Sequence, residues 1–151
     1  MKKKRSWITL AVLSLVLAVT VIGCGTPKAN DVGKTRTANN LEITVQEIEL
    51  KDANQNDKQI AKIEFSVKNV GKEESGAGAG DFIIETRDGK KHQVYGMNEN
   101  NFGDAIAAGK TLTGAGYYEI PANQKSFTIH YEPNTDVPME AITWEITTTS
   151  K

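Results

Sequence analysis

The chain has 151 residues, with 18 lysines and arginines, 19 aspartates and glutamates, a net charge of −1 and a single cysteine. This length suits one domain, and one cysteine excludes a disulfide within the chain. The balanced charge argues against a nucleic-acid-binding surface, which would be basic and clustered.

The N-terminus predicts an export signal and a lipid anchor. Four basic residues, 2–5, precede an apolar run that ends at Gly23; this arrangement is typical of a secretory signal. The segment VIGC, residues 21–24, resembles the lipobox of bacterial lipoproteins. That resemblance implies cleavage between Gly23 and Cys24 and a diacylglycerol on the Cys24 thiol, which would hold the protein on the extracytoplasmic face of the cell membrane. The alternative is an uncleaved signal anchor.

Removal of the predicted signal, residues 1–23, takes away four basic residues and no acidic ones. The mature chain then has 14 basic and 19 acidic residues, a net charge of −5. This charge predicts that the protein contacts the membrane through its lipid and not by attraction to anionic headgroups. Residues 24–40 lack hydrophobic periodicity and are rich in Gly, Asn, Thr and Lys, so they are predicted to form a flexible linker after the lipidated cysteine.

From residue 41 onward apolar and polar residues alternate, as in strands with one buried face. Turn-forming clusters separate the segments, among them Asp88-Gly89, a hairpin signal. Residues 41–151 therefore predict an all-β, antiparallel β-sandwich of about seven strands. In one strand, Gly114 and Gly116 indicate either a bulge or close packing beneath a large side chain, for which Trp144 is a candidate. The strand segments are LEITV (41–45), KIEFSVKN (62–69), DFIIET (81–86), HQVYG (92–96), TLTGAGYYEI (111–120), SFTIHYE (126–132) and ITWEIT (142–147).

Three motifs resemble a known family: FSVKNVGK (65–72), FII with DGK and a tyrosine (82–95), and AGK with a glycine and YEIP (108–121). The chain is similar to the immunoglobulin-like domain of unknown function found in surface lipoproteins of Gram-positive bacteria, and in fold to the mycobacterial immunoprotective extracellular antigen. The departure is Ala108, where the family usually has proline. The resemblance covers about residues 41–147 and implies an immunoglobulin-like sandwich at the cell surface, with no established activity.

The loops 72–80 and 96–104 are predicted to be the segments that face a ligand. Within the second loop, three amides beside one aromatic ring are candidate contact groups: Asn98, Asn100, Asn101 and Phe102. The alternative interpretation is an ordinary Asn-rich turn.

Other chemistry finds little support. The segment DANQND (52–57) has the alternating oxygens of a calcium loop, but it lacks the glycine and glutamate of that motif. Copper chaperones use His and Met, yet His92, Met97, His130 and Met139 form no compact run. Neither a Gly-x-Ser-x-Gly nor a His-Glu-x-x-His motif occurs. The sequence therefore predicts no enzyme and no cofactor.

Two functional hypotheses remain. The first is a non-catalytic module at the cell surface that binds an unknown protein or cell-envelope ligand. The second is a passive structural or accessory envelope lipoprotein, with a metal-binding chaperone as a weaker alternative. A cluster of exposed apolar area would favour the first hypothesis, and an even, charged surface would favour the second.

Overall fold

A computed structural model describes residues 30–53, 57–96, 98–135 and 141–148. These ranges contain ten strands and one 3₁₀ turn, Ala79–Asp81. The strands are β1 (Thr35–Ala38), β2 (Leu41–Asp52), β3 (Lys58–Asn69), β4 (Ser75–Gly78), β5 (Phe82–Thr86), β6 (Lys91–His92), β7 (Gly103–Ile106), β8 (Thr111–Pro121), β9 (Ser126–Tyr131) and β10 (Ile142–Thr147).

The strands form two four-stranded antiparallel sheets and a small third sheet. Sheet A has the order β1–β2–β3–β8, sheet B has the order β10–β9–β5–β6, and β4 pairs with β7. The order β2–β3–β8 against β10–β9–β5 corresponds to strands A–B–E and G–F–C of immunoglobulin domains. The predicted all-β antiparallel sandwich is confirmed. The three strands beyond the predicted seven are β1, β4 and β7. Each has four residues, too few to show a period of two clearly.

The core lies between the two sheets and consists of the side chains predicted to face inward. The rings of Phe65 and Phe82 stack at 4.1 Å between centroids, one from each sheet. Trp144 packs beside Phe82, with ring centroids 6.4 Å apart, and is fully buried. Because these aromatic rings join sheets A and B, they bury the largest apolar surfaces of the domain in one cluster.

A β-bulge in β2 keeps its apolar residues on the inner face. The register with β3 shifts between Val45 and Glu47, so Gln46 is an extra residue. Val45 is buried before the bulge, and Ile48 and Leu50 pack against the core after it. An unbroken alternation would have turned these last two side chains to solvent.

Residues 30–40, which the sequence analysis assigned to a flexible linker, belong to the folded domain, and the boundary is corrected accordingly. β1 pairs with β2 from Thr35↔Thr44 to Ala38↔Leu41, and Asp31 is buried. The turn between β1 and β2 uses Asn39 and Asn40 with φ of 51° and 58°, a conformation that asparagine tolerates better than most residues. The Gly- and Asn-rich composition of this segment resembles that of a linker because the same residue types form tight turns.

The two glycines of β8 lie beneath large side chains, as predicted, but not beneath Trp144. A Cβ at Gly114 would lie 2.3 Å from Cβ of Phe102, and a Cβ at Gly116 would lie 2.6 Å from Oη of Tyr118. Phe102 comes from the segment between β6 and β7, which crosses the β8 side of the sandwich. The predicted strand at 92–96 is reduced to β6 and a single bridge, Val94↔Tyr118.

Candidate functional site

The predicted interaction loop is built largely by its own polar groups. Nδ2 of Asn101 donates hydrogen bonds to the carbonyls of Tyr95 (2.8 Å) and Asn98 (2.9 Å). Oδ1 of Asn101 accepts the backbone N–H of Tyr117 in β8 at 2.9 Å. Oδ1 of Asn98 accepts the N–H of Asn100. The amide of Asn101 thus holds the loop on β8, that of Asn98 forms a turn within the loop, and Asn100 is the exposed member of the predicted set.

Phe102 is a packing residue. Its ring lies 5.5 Å from that of Phe65 and 6.3 Å from that of Phe82. Its backbone N–H donates to Ala115, and its carbonyl accepts from Ala79, both at 2.9 Å. Parts of the two predicted loops, 72–80 and 96–104, belong to the paired strands β4 and β7. A ligand-binding role for this loop stays a prediction, and the contacts show that three of its four candidate residues, Asn98, Asn101 and Phe102, serve the fold.

The two histidines of the copper hypothesis face opposite sides of sheet B. His92 pairs with the inward-facing Ile84, contacts the hydroxyl of Thr86 at 3.1 Å, and burial lowers its pKa. His130 lies on the outer face, with Nε2 3.0 Å from a carboxylate oxygen of Glu85. These side chains cannot share one metal ion. No group of three His, Cys, Asp or Glu residues suited to a metal occurs within the described ranges; Met97, Met139 and residues 54–56 of the calcium-like segment lie outside them.

A concave surface, here named the edge groove, lies between the second half of β2 and the ends of β9 and β10. Its volume is about 660 Å³, and Glu47 to Leu50, Asp52, Gln59, Ala122, Asn123, Lys125 and Thr148 line it. This volume is within the range of roughly 300–1,000 Å³ that ligand sites usually have. Hollows of about 490 Å³ and 280 Å³ lie beside Asn69 and on the outer face of sheet B.

Hydrogen bonds give the edge groove a fixed end wall. Nε2 of Gln59 donates to the carbonyls of Pro121 (3.1 Å) and Gln124 (2.8 Å), which holds the β8–β9 turn against β3. The N–H of Thr148 donates to the carbonyl of Lys125 at 2.8 Å. The groove is therefore formed by paired backbone and not by a separate loop.

The charge and polarity of the edge groove define what it can bind. Glu47, Glu49 and Asp52 place three carboxylates at its rim, with the ammonium group of Lys125 in the lining and that of Lys51 paired with Glu49 at 3.2 Å. Ile48 and Leu50 are half-buried between them. The arrangement suits a ligand with positive charge and small apolar groups, and it contains no nucleophile–base pair.

Asp31 anchors the N-terminal segment beside the edge groove. Its side chain is 7% exposed and accepts from Nζ of Lys34 at 2.5 Å and from Nη2 of Arg36 at 2.7 Å. Its backbone N–H donates to the carbonyl of Glu145, and the N–H of Glu145 donates back to Oδ2. The hydrogen bond with Lys34, the N–H of Glu145 and the bond with Arg36 lower the pKa of this carboxyl. Nε1 of Trp144 donates to the carbonyl of Lys34 at 2.9 Å.

Sequence reasoning did not identify the edge groove or the Asp31 anchor. The spacing of three between Val45 and Ile48 is the one sequence signal of the bulge at the groove. The anchor has no local signal, because Asp31 meets Glu145 across 114 positions of sequence.

The described surface has no apolar patch. Val70 and Tyr95, exposed by 44% and 38%, are its exposed large hydrophobic residues. Val70 follows Asn69, whose N–H donates to the carbonyl of Lys110 just before β8. The N–H of Tyr95 donates to the carbonyl of Tyr117, seven residues after Lys110 in the chain, so the two exposed side chains lie apart. Within the described ranges, no helix is both long and apolar enough to span a membrane.

Comparisons with solved structures identify the fold. The candidate lipoprotein ycdA from Bacillus subtilis is 18% identical, with a TM-score of 0.58 over 80% of this chain, which spans 38% of the length of ycdA. The yjhA protein of Bacillus subtilis is 19% identical, with a TM-score of 0.52 over 69% of this chain and 81% of its own. An uncharacterised β-sandwich protein from Clostridium difficile is 14% identical, with a TM-score of 0.50 over 79% and 95%. At these identities the likeness concerns the fold alone.

No curated protein matches the chain. A family model does match, over residues 30–142, which begins just before Asp31 and includes β1. The matched range covers β1 to β9 and ends at Ile142, the first residue of β10, so Glu145 of the Asp31 anchor and Thr148 of the edge groove lie just beyond it. This chain belongs to the family described as a domain of unknown function, DUF4352.

Proposed function

We propose that this chain is an extracytoplasmic lipoprotein of a Gram-positive cell surface whose immunoglobulin-like β-sandwich binds a partner without catalysis. Support for the address comes from the VIGC segment that ends an apolar run and from the fold shared with a candidate lipoprotein. The same proposal includes the relationship to immunoglobulin-like surface lipoproteins and to the mycobacterial antigen, for which the strand order is the supporting observation.

The observation that carries the binding role is the edge groove. It is larger than the hollows beside Asn69 and on the outer face of sheet B, its end wall is fixed by Gln59, and it combines carboxylates with two half-buried aliphatic side chains. Because the surface lacks an apolar patch, binding depends on polar recognition with a small apolar contribution.

Lipidation is tested with a Cys24→Ala variant of the full chain. We expect the wild-type protein to sediment with membranes and to incorporate labelled palmitate, because two acyl chains hold a protein stably on a bilayer. The Cys24→Ala variant should not incorporate labelled palmitate and should be absent from the lipid-anchored protein in the membrane fraction. A Ser14→Ala variant keeps the segment 21–24 and serves as control. A labelled, membrane-bound Cys24→Ala variant would refute the anchor.

A passive accessory role is the second candidate, and the even surface favours it. Ion pairs such as Lys62–Glu64 and Lys58–Glu119 cover the outer face of sheet A. Photo-crosslinking in intact cells, from one exposed position on each sheet face, at the end beside Asn69 and in the edge groove, separates the two candidates. A discrete product from any position supports binding, and the absence of products from all of them supports the passive role.

A further inference from the structure

The path of the N-terminal segment orients the domain. Ala38 pairs with Leu41 and Thr35 with Thr44, and the N–H of Gly33 donates to the carbonyl of Val45 at 2.8 Å. Followed toward its N-terminus, the chain therefore runs along β2 toward the end of the sandwich that carries the edge groove. The segment that leads to the membrane enters the domain at this end, and the end beside Asn69 is the far one.

The distance to the membrane is short because Asp31 is anchored. Six residues, 25–30, separate Cys24 from Asp31. At ~3.4 Å each they span at most about 20 Å, less than half the reach of a linker that continued to residue 40. If Cys24 carries the lipid, as proposed above, the edge groove lies close to the headgroups.

The β2 edge of the groove is open to a further strand. β3 pairs with one side of β2 over its whole length, whereas β1 pairs with the other side only up to Thr44. In the described part of the chain no strand pairs with this side from Gln46 to Asp52. Gly33 shows that an extended segment bonds to this edge at Val45. An incoming strand would continue the same seam by main-chain pairing, as in β-augmentation.

The side chains of the groove select the incoming segment. Ile48 and Leu50, two positions apart on one face, contact alternate residues of a strand laid beside them. The acidic rim attracts lysine and arginine side chains, and it repels a second copy of the same edge. These features favour a different, basic polypeptide.

We propose that the edge groove takes an extended, basic segment of a membrane protein, which adds to β2 as a strand close to the bilayer surface. This inference rests on the proposed function and names its partner class. A strand docked here would place the partner between the membrane and the domain and leave the far end, beside Asn69, turned outward.

Photo-crosslinking of the full chain in intact bacteria tests the proposal. A photoreactive phenylalanine analogue replaces Asp52 in the groove, or Lys68 at the far end of β3 as a control. We expect a product from position 52 alone, and mass spectrometry should locate the attachment in a Lys- or Arg-containing segment next to a membrane span. When the probe moves from Glu49 to Lys51, the attached residue should move by about two positions along the partner, because paired strands keep register.

Charge reversal provides the matched comparison. We expect the double variant Glu47→Lys, Glu49→Lys to reduce the yield of the crosslinked product from position 52 about tenfold or more. The control double variant Glu73→Lys, Glu74→Lys reverses two exposed acids at the far end and should leave this yield unchanged. Thermal unfolding of each variant verifies its fold. Attachment to residues 25–29 of the same chain, to a second copy, to glycan or to lipid would overturn the proposal, as would equal yields in both charge variants. A product only at another surface rejects the edge groove but keeps the binding role; no product at any surface rejects both.

Discussion

Replacement of Asp31 by asparagine tests whether the N-terminal segment is part of the folded domain. The substitution keeps the volume of the side chain and removes its charge. It also places an amide donor where Lys34 and Arg36 already donate. We expect the variant to fold with a loosened segment around Asp31 and a reduced free energy of unfolding.

The expected loss is about 2–3 kcal/mol. The Lys34 side chain is 61% exposed, so its ion pair contributes roughly 0–1 kcal/mol. The Arg36 side chain is 36% exposed and lies beside the Trp144 ring. The hydrogen bond from its guanidinium group to Asp31 therefore contributes about 1 kcal/mol to the free energy of unfolding. Weakening the acceptor of the part-buried Glu145 N–H adds about 1 kcal/mol. For a domain of this size the sum corresponds to a fall in Tm of roughly 10 °C.

The assay is urea unfolding of residues 25–151 at a series of pH values. The pKa of Asp31 is lowered in the folded state, so its contribution is fully present above the unfolded value of about 4 and is lost as pH falls through the folded pKa. The difference between wild type and variant should be constant from about pH 5 to 8 and should shrink below about pH 4.

Glu42→Gln is the control, because the Glu42–Lys68 pair is exposed and 3.8 Å long, and it should change stability by less than about 0.5 kcal/mol. If Asp31→Asn matches this control at neutral pH, the segment is not anchored. If the loss is large but independent of pH, the charge of Asp31 is not its cause.

Three further outcomes are expected. Asn69→Ala should cost about 2–4 kcal/mol in urea unfolding, because it removes three side-chain hydrogen bonds, one buried and two part-buried, to Glu73, Ile106 and Gly71; a loss below about 1 kcal/mol would contradict this. Gly114→Ala should cost about 1–3 kcal/mol by overpacking against Phe102, and less in a Phe102→Gly background, which removes the Cβ that the new methyl group would meet; equal costs in both backgrounds would refute the contact. Burial raises the pKa of Tyr118 and raises that of Tyr131 to about 12. The stability from these tyrosines is present below about pH 10 and is lost as pH rises toward 12, so absorbance at alkaline pH should show them ionising only with unfolding.

The sequence alone determined seven of the ten described strands and the inner faces of most of them. Alternation identified β3, β9, β10 and the first half of β2 because a half-buried strand must place every second side chain in the core, and shorter segments indicated β5, β6 and β8. Turn chemistry identified the β5–β6 hairpin, where Gly89 has φ of 78°. Glycines in β8 predicted a large side chain above them, since only a missing Cβ permits that approach.

Tertiary structure decided the features that depend on residues far apart. Only the folded chain shows that β3 pairs with β8 and β5 with β9, since an alternating strand has no preferred neighbour. The Gly114 neighbour is Phe102 and not Trp144, because the β6–β7 segment folds across β8. Asp31 becomes structural only when Glu145 lies beside it. The open edge at the groove exists because β1 begins at Thr35, opposite Thr44, while β2 continues to Asp52, a difference in length that local patterns do not encode.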